Sequence, residues 1–279
     1  MTSYAFGIGV LTAVTIVCTG TAAWSQAPKL TDIEQCNASD RTPPDLQISG
    51  CTAVIESTTR TPQMLAVAYN NRGNAHFKTG NYDQALQDYD RSIKINPSYA
   101  KAFNNRGNAY KKKGETDRAI KDFDSSIKFD ANYASAFANR ASAYLKKGNL
   151  ARASRDYDEA VRLQPDNDAI RNERCWIHAI SGKLQSALAD CNEALRLKPN
   201  VAATLDTRGF AYLKAGQWDN AISDYDAALQ LDPKLASALY GRGIAKRKNG
   251  DAQNSKTDTA AALTMDANVR ANFTRFGVE

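Results

Sequence analysis

From Ala66 onward, apolar and polar positions follow one pattern that recurs every 34 residues, six times without an insertion. Large apolar side chains stand at position 4 (Tyr69, Phe103, Phe137, Leu205, Leu239), position 24 (Tyr89, Phe123, Tyr157, Tyr225) and position 28 (Ile93, Ile127, Val161, Leu195, Leu229, Leu263). Spaced in this way, they line one face of a helix in each half of the unit. Small residues at position 8 (Gly73, Gly107, Ala141, Cys175, Gly209, Gly243) and position 20 (Ala85, Ala119, Ala153, Ala187, Ala221, Ser255) let two backbones approach closely. Position 15 is Gly in all six units, Gly80 through Gly250, where one helix ends in a left-handed residue. Pro97, Pro165, Pro199 and Pro233 at position 32 stop a second helix. The pattern predicts two helices per unit, with units at 66–99, 100–133, 134–167, 168–201, 202–235 and 236–269.

The most regular polar feature is Arg at position 7 (Arg72, Arg106, Arg140, Arg174, Arg208, Arg242) with Asp at position 23 (Asp88, Asp122, Asp156, Asp190, Asp224, Asp258). With positions 8 and 24 facing one another across the hairpin, positions 7 and 23 lie at the same height, and Arg–Asp pairing within or between adjacent units follows. These pairs read as an electrostatic ladder that fixes unit orientation; direct ligand binding by the arginines is the alternative.

The set Tyr69-x-x-Arg72-Gly73-x-x-His76, Gly80, Ala85, Tyr89 and Pro97 resembles one tetratricopeptide repeat, and the other five units match in phase. The resemblance implies an all-α, right-handed α-solenoid of tandem antiparallel helix pairs, a TPR superhelix of an exported bacterial type. First helices would line a concave groove, and second helices the convex side. On that basis positions 2, 5, 9, 12 and 13 are candidate ligand contacts. They and their borders supply Asn70, Asn74, Lys78, Lys101, Asn104, Asn108, Lys111, Lys112 and Lys146 in units one to three, and Trp176 and Phe210 in units four and five. An amide-rich basic stretch followed by an aromatic one suits an extended peptide with an acidic or backbone-rich end and an apolar anchor. Some relatives grip a terminal carboxylate with paired Lys, Asn and Arg; here Asn70, Ser135 and Asn139 stand at those places, so that activity is not carried over. Residues 28–65 are expected to form a divergent capping helix pair, and residues 270–279, with Phe273 and Phe276, a short helix covering the exposed end of the stack.

Residues 1–28 carry no charged side chain, and the stretch from Tyr4 to Ala23 is mainly apolar. Residues 1–27 therefore read as an export signal cleaved after Ala23 or Ala27, with an uncleaved membrane anchor over residues 4–24 as the alternative. Beyond Cys18, Cys36 and Cys51 lie fifteen residues apart and Cys175 and Cys191 sixteen. Two local disulfides would use all four and match an oxidising compartment, periplasmic or secreted; buried free thiols are the competing reading. His76 and His178 fall on the aromatic position 11 and read as packing residues. Neither they nor the cysteines have metal-ligand spacing, and no phosphate loop or catalytic set is found, so no metal, cofactor or enzyme activity is expected.

With 24% charged residues and only 8 Pro, the composition favours a soluble helical chain. The net charge of +6 is mild and interleaved with acidic residues rather than blocked, which makes only a weak case for nucleic acid and an equal one for acidic peptides. The expected function is a non-catalytic scaffold that binds a protein or peptide segment in the cell envelope. The alternatives are a regulatory subunit of an envelope enzyme and a nucleic-acid-binding helical repeat.

Overall fold

The protein is described by a computed structural model over residues 29–38 and 42–278, and the uncharged stretch of residues 1–27 lies outside these. The described residues form fifteen helices and no strand. A first pair, α1 (Leu30–Asn37) and α2 (Pro44–Glu56), leads into six more: α3 (Pro62–Lys78) with α4 (Tyr82–Ile95), α5 (Ala100–Lys112) with α6 (Thr116–Phe129), α7 (Ala134–Lys146) with α8 (Leu150–Leu163). Then come α9 (Asp168–Ile180) with α10 (Leu184–Leu197), α11 (Ala202–Lys214) with α12 (Trp218–Leu231), α13 (Ala236–Lys248) with α14 (Ala252–Met265), and a final α15 (Val269–Arg275). Each helix packs on the next, and first helices of successive units also meet, α3 on α5, α5 on α7, α9 on α11 and α11 on α13. The architecture is a right-handed α-solenoid of antiparallel helix pairs.

The hairpin turns follow from the glycine at position 15, whose φ lies between 71° and 93° in all six units. That left-handed residue lets the next amide reach back to close the helix end, as Asn81 N–H does to the His76 carbonyl (2.9 Å) and Asp251 N–H to Lys246 (2.9 Å). The two helices of a unit then meet where position 8 is smallest. A Cβ on Gly73 would stand 2.7 Å from the Tyr89 ring, and one on Gly107 2.6 Å from that of Phe123. In unit four this contact is a disulfide, Cys175–Cys191, with Cα atoms 5.5 Å apart. Cys36–Cys51 ties α1 to α2 at a Cα separation of 4.5 Å.

Helix α3 starts one turn upstream of the repeat register at Ala66. Pro62 is its first residue, and the Thr61 side chain accepts a hydrogen bond from Met64 N–H (3.1 Å), a start signal that the periodicity does not contain.

Each position-7 arginine makes a two-pronged bond to the position-23 aspartate of its own unit. Arg72 Nε and Nη2 each donate at 2.8 Å to Asp88, and Arg242 does the same to Asp258 at 2.7 Å. The third nitrogen, Nη1, reaches the preceding helix pair: Arg72 to Thr52 (3.0 Å), Arg106 to Asp90 (2.7 Å), Arg140 to Asp124 (2.7 Å), Arg174 to Asp158 (3.2 Å), Arg208 to Asn192 (2.8 Å) and Arg242 to Asp226 (2.6 Å). Each guanidinium thus joins both helices of its hairpin and the neighbouring unit.

Candidate functional site

Position 11 completes the ladder in two ways. His178 Nδ1 lies 3.0 Å from Asp190 Oδ2, and Lys246 Nζ 2.9 Å from Asp258 Oδ2, so both residues lie within hydrogen-bond distance of a ladder carboxylate rather than only packing. Arg171, which replaces a bulky residue at position 4, lies 3.7 Å from Asp190 and donates to the Pro165 carbonyl (2.6 Å). Burial pushes the Asp190 carboxyl up, but hydrogen bonds from His178 and Arg174 outweigh it and hold the group below the usual carboxylate range. With Arg72, Arg106, Arg140, Arg174, Arg208 and Arg242 all engaged in these bonds, the groove is left to other residues.

Units one to three carry a chain of amides that the periodicity alone misassigns. Asn139 Nδ2 donates to Asn104 Oδ1 (2.9 Å), Asn104 to Asn105 (3.2 Å), Asn105 to Asn70 (2.9 Å), Asn70 to Asn71 (3.1 Å), and Asn71 to Asn37 of the capping pair (3.3 Å). Asn70 and Asn104 are each only 3% exposed. They are therefore not available as the ligand contacts expected of them: positions 5 and 6 pack against the next first helix, where an amide must find a partner. Asn74 is half-buried and accepts from Tyr89 Oη (2.8 Å), whereas the corresponding ring for Asn108 is Phe123, which has no hydroxyl to donate.

The lysines remain at the surface of this half. Lys78, Lys101, Lys112 and Lys146 are exposed, and half-buried Lys111 donates to Ser142 Oγ (3.3 Å) across to the next first helix. Burial lowers the Lys111 ammonium, with the Glu173 carboxylate partly opposing. Glu173 is exposed, yet the atoms crowded around its carboxyl raise it by burial, against the hydrogen bond from Tyr157 Oη (3.3 Å). The first helices of units two and three thus offer lysines and no carboxylate, whereas those of units four and five add the carboxylates Glu173 and Asp206, with Lys214 of unit five held by the Phe276 carbonyl.

The C-terminal half differs more from expectation. Phe210 is 3% exposed and Trp176 half-buried, because the chain returns over them. The Phe276 ring meets Trp176 at 5.3 Å and 85°, and Phe273 meets Phe210 at 5.5 Å and Tyr240 at 5.1 Å. Lys214 Nζ donates to the Phe276 carbonyl (3.0 Å). Residues 270–279 were expected to cover the end of the stack. Helix α15 does pack on α13 and α14, but its phenylalanines reach across the first helices α13, α11 and α9. Trp176 and Phe210 are not an open anchor site; they form the floor beneath the protein's own C-terminal segment. Phe273 and Phe276 lie outside the repeat, so no periodicity ties them to Trp176. Asp206 was readable in principle, as the one carboxylate in a position-5 series of Asn70, Asn104, Ala138, Asn172 and Tyr240.

No cluster of three or more metal-ligating side chains is present among the described residues. No described helix is long and apolar enough to cross a membrane.

Stacked hairpins with a concave wall of polar and aromatic side chains define a helical-repeat protein of the interaction-scaffold class. The pattern described as TPR repeat matches residues 73–114, 107–148 and 209–250, and that described as tetratricopeptide repeat matches residues 139–202. The chain belongs to the tetratricopeptide repeat family, whose members bind protein or peptide partners. It is 42% identical over 56 residues to a Drosophila melanogaster protein, the DNA polymerase interacting tetratricopeptide repeat-containing protein of 47 kDa, covering 20% of this chain and 14% of that one. In structure it is similar to the APC/C hetero-tetramer Cut9–Hcn1 (TM-score 0.69, 16% identity), over 88% of this chain and 50% of the other. It is also similar to YrrB, a TPR protein with an unusual peptide-binding site (TM-score 0.54, 19% identity), over 68% of this chain and 99% of that one. At these identities the structural likeness concerns the fold. The chain spans half the length of the Cut9–Hcn1 chain and a small part of the fly protein.

Proposed function

We propose that the protein is a non-catalytic scaffold of an oxidising envelope compartment, and that it holds an extended peptide along its concave face. The observation that carries this reading is the change of sign along that face. Lys111, Lys112 and Lys146 offer positive charge in units two and three, and Glu173 and Asp206 negative charge in units four and five. A segment with an acidic stretch and a basic stretch matches this wall in one direction only, so charge sets the register as well as the affinity. YrrB, a protein of the same fold, has an unusual peptide-binding site, which supports a peptide as the kind of partner. The two disulfides support the compartment, since such bonds persist outside reducing cytosol.

A random-peptide display library panned on the oxidised protein tests the reading. Selected peptides should share an acidic and a basic stretch in fixed order, and Lys112→Glu with Lys146→Glu should weaken them by about tenfold or more. Selection of peptides that bind the double variant equally well would reject the groove as the site.

A further inference from the structure

Between α9, α11, α13 and the returning α15 lies a cavity of about 400 Å³. Four of its eleven lining residues are aromatic, Trp176, Phe210, Phe273 and Phe276, packed at ring separations of 5.0–6.5 Å. Both charged residues that line it, Asp206 and Asp266, are acidic. Asp266 is engaged in the turn, where its Oδ1 accepts from Asn268 N–H (2.8 Å). Asp206 receives one hydrogen bond, from Ser237 Oγ (2.7 Å), and no Lys or Arg among the described residues pairs with it. Lys214, two turns further along α11, is held instead by the Phe276 carbonyl.

An ionised carboxylate surrounded by ring faces has no counter-charge, and burial pushes Asp206 up to about 6. The nearby Tyr225 hydroxyl is buried without a partner, and burial together with the Asp206 charge raises it as well. A cation suits such a pocket best. It gains Coulomb energy from the carboxylate and quadrupole attraction from the rings, whereas an apolar group would desolvate Asp206 and an anion would be repelled.

We infer that this cavity receives one basic side chain of a bound peptide, a lysine or arginine with its charged head at Asp206 and its methylene stem along Trp176, Phe210 and Phe276. Long basic side chains suit such a pocket because the stem is apolar and the head is not. The inference rests on the peptide-groove reading and adds to it the identity of one anchor residue.

The test uses the intact protein labelled at its tryptophan indoles and two blocked tripeptides, acetyl-Ala-Lys-Ala-amide and its norleucine counterpart. The lysine peptide should shift the Trp176 indole resonance saturably, and the norleucine peptide should bind about tenfold more weakly. Asp206→Asn, which keeps an acceptor for Ser237, should bind the lysine peptide about tenfold more weakly while retaining its helical circular dichroism. Phe276→Leu, which keeps apolar volume but loses the ring face, should show a smaller loss. Equal binding of the two peptides, unchanged binding by Asp206→Asn, or no shift at Trp176 at millimolar peptide would each overturn the inference. Failure of the display experiment with success here would remove the groove reading and leave the cation pocket; the reverse pair of results would do the opposite.

Discussion

Asp206 should make the protein less stable than its amide variant, and the size and pH dependence of the difference can be worked out. Its carboxyl is raised to about 6 in the folded chain against 3.8 in the unfolded one. A span of about two in pKa corresponds to roughly 3 kcal/mol. Residual solvent contact of the side chain reduces this to roughly 1–2 kcal/mol. A folded pKa above the unfolded value means that the folded state binds the extra proton. The carboxyl is therefore tolerated below pH 4, and stability falls as the pH rises through 6. Asp206→Asn keeps the Ser237 hydrogen bond and removes the charge, so the variant should match the parent near pH 4 and exceed it by roughly 1–2 kcal/mol above pH 7. Urea unfolding of both proteins at several pH values measures the difference. The other carboxylates titrate alike in both and cancel. A parent more stable than the variant at pH 7.5, or a difference independent of pH, would refute burial of an uncompensated charge at Asp206.

Other expectations follow from the same contacts. Replacing Cys175 and Cys191 with alanine opens a loop of 16 residues and should lower stability by about 3 kcal/mol, read as a urea midpoint shift. Reduction of that variant should then affect only the Cys36–Cys51 pair. Asp190 and Asp258 are held below the usual carboxylate range by their partners despite burial, so their stabilisation is present above pH 3.8 and is lost as acid titrates them; acid unfolding of Arg174→Met should show a smaller loss, since at Asp190 only the His178 hydrogen bond then opposes burial. Gly241→Ala would place a Cβ 2.4 Å from the fully buried Tyr225 ring and should cost about 1–3 kcal/mol. Phe276→Ala should release α15, visible as a red shift of Trp176 emission and faster amide exchange in Val269–Arg275, with α3 to α8 unaffected because each unit is coupled only to its neighbours.

The solenoid was legible because its determinants are local and repeated. A glycine that must adopt positive φ recurs every 34 residues in all six units, and in four of them a small residue stands opposite a ring, so the copies agree on one hairpin. The groove was less legible, because a side chain at position 5 has two possible neighbours, solvent or the next first helix. For Asn70 and Asn104 the neighbour is another amide. The one-residue offset between Asn70 and Asn71, and between Asn104 and Asn105, carries the chain of hydrogen bonds from unit to unit, and a reading of each position by itself does not see it. Of the C-terminal return only the short covering helix was legible, not what its rings meet: Phe276 meets Trp176 a hundred residues upstream, outside the period, through contacts that no spacing rule encodes.

These differences divide the concave face by physical role. In the N-terminal half the amides satisfy one another, leaving the lysine ammonium groups at the surface to act through charge. In the C-terminal half α15 covers what would be an open apolar floor, and it leaves a cavity in which Asp206 has no counter-charge. Burying aromatic rings under the protein's own segment removes an exposed apolar patch, which would otherwise favour association. Leaving a carboxylate there does the opposite for stability, since the same position in units one and two is a satisfied amide. A residue that costs the fold free energy at a place where a neutral side chain is available is best explained by what it binds. The ladder and the disulfide in unit four then matter to the pocket as well as to stability, because Cys175–Cys191 and Arg174–Asp190 tie α9 to α10, and Arg208 Nη1, donating to Asn192, ties α11 to that same helix.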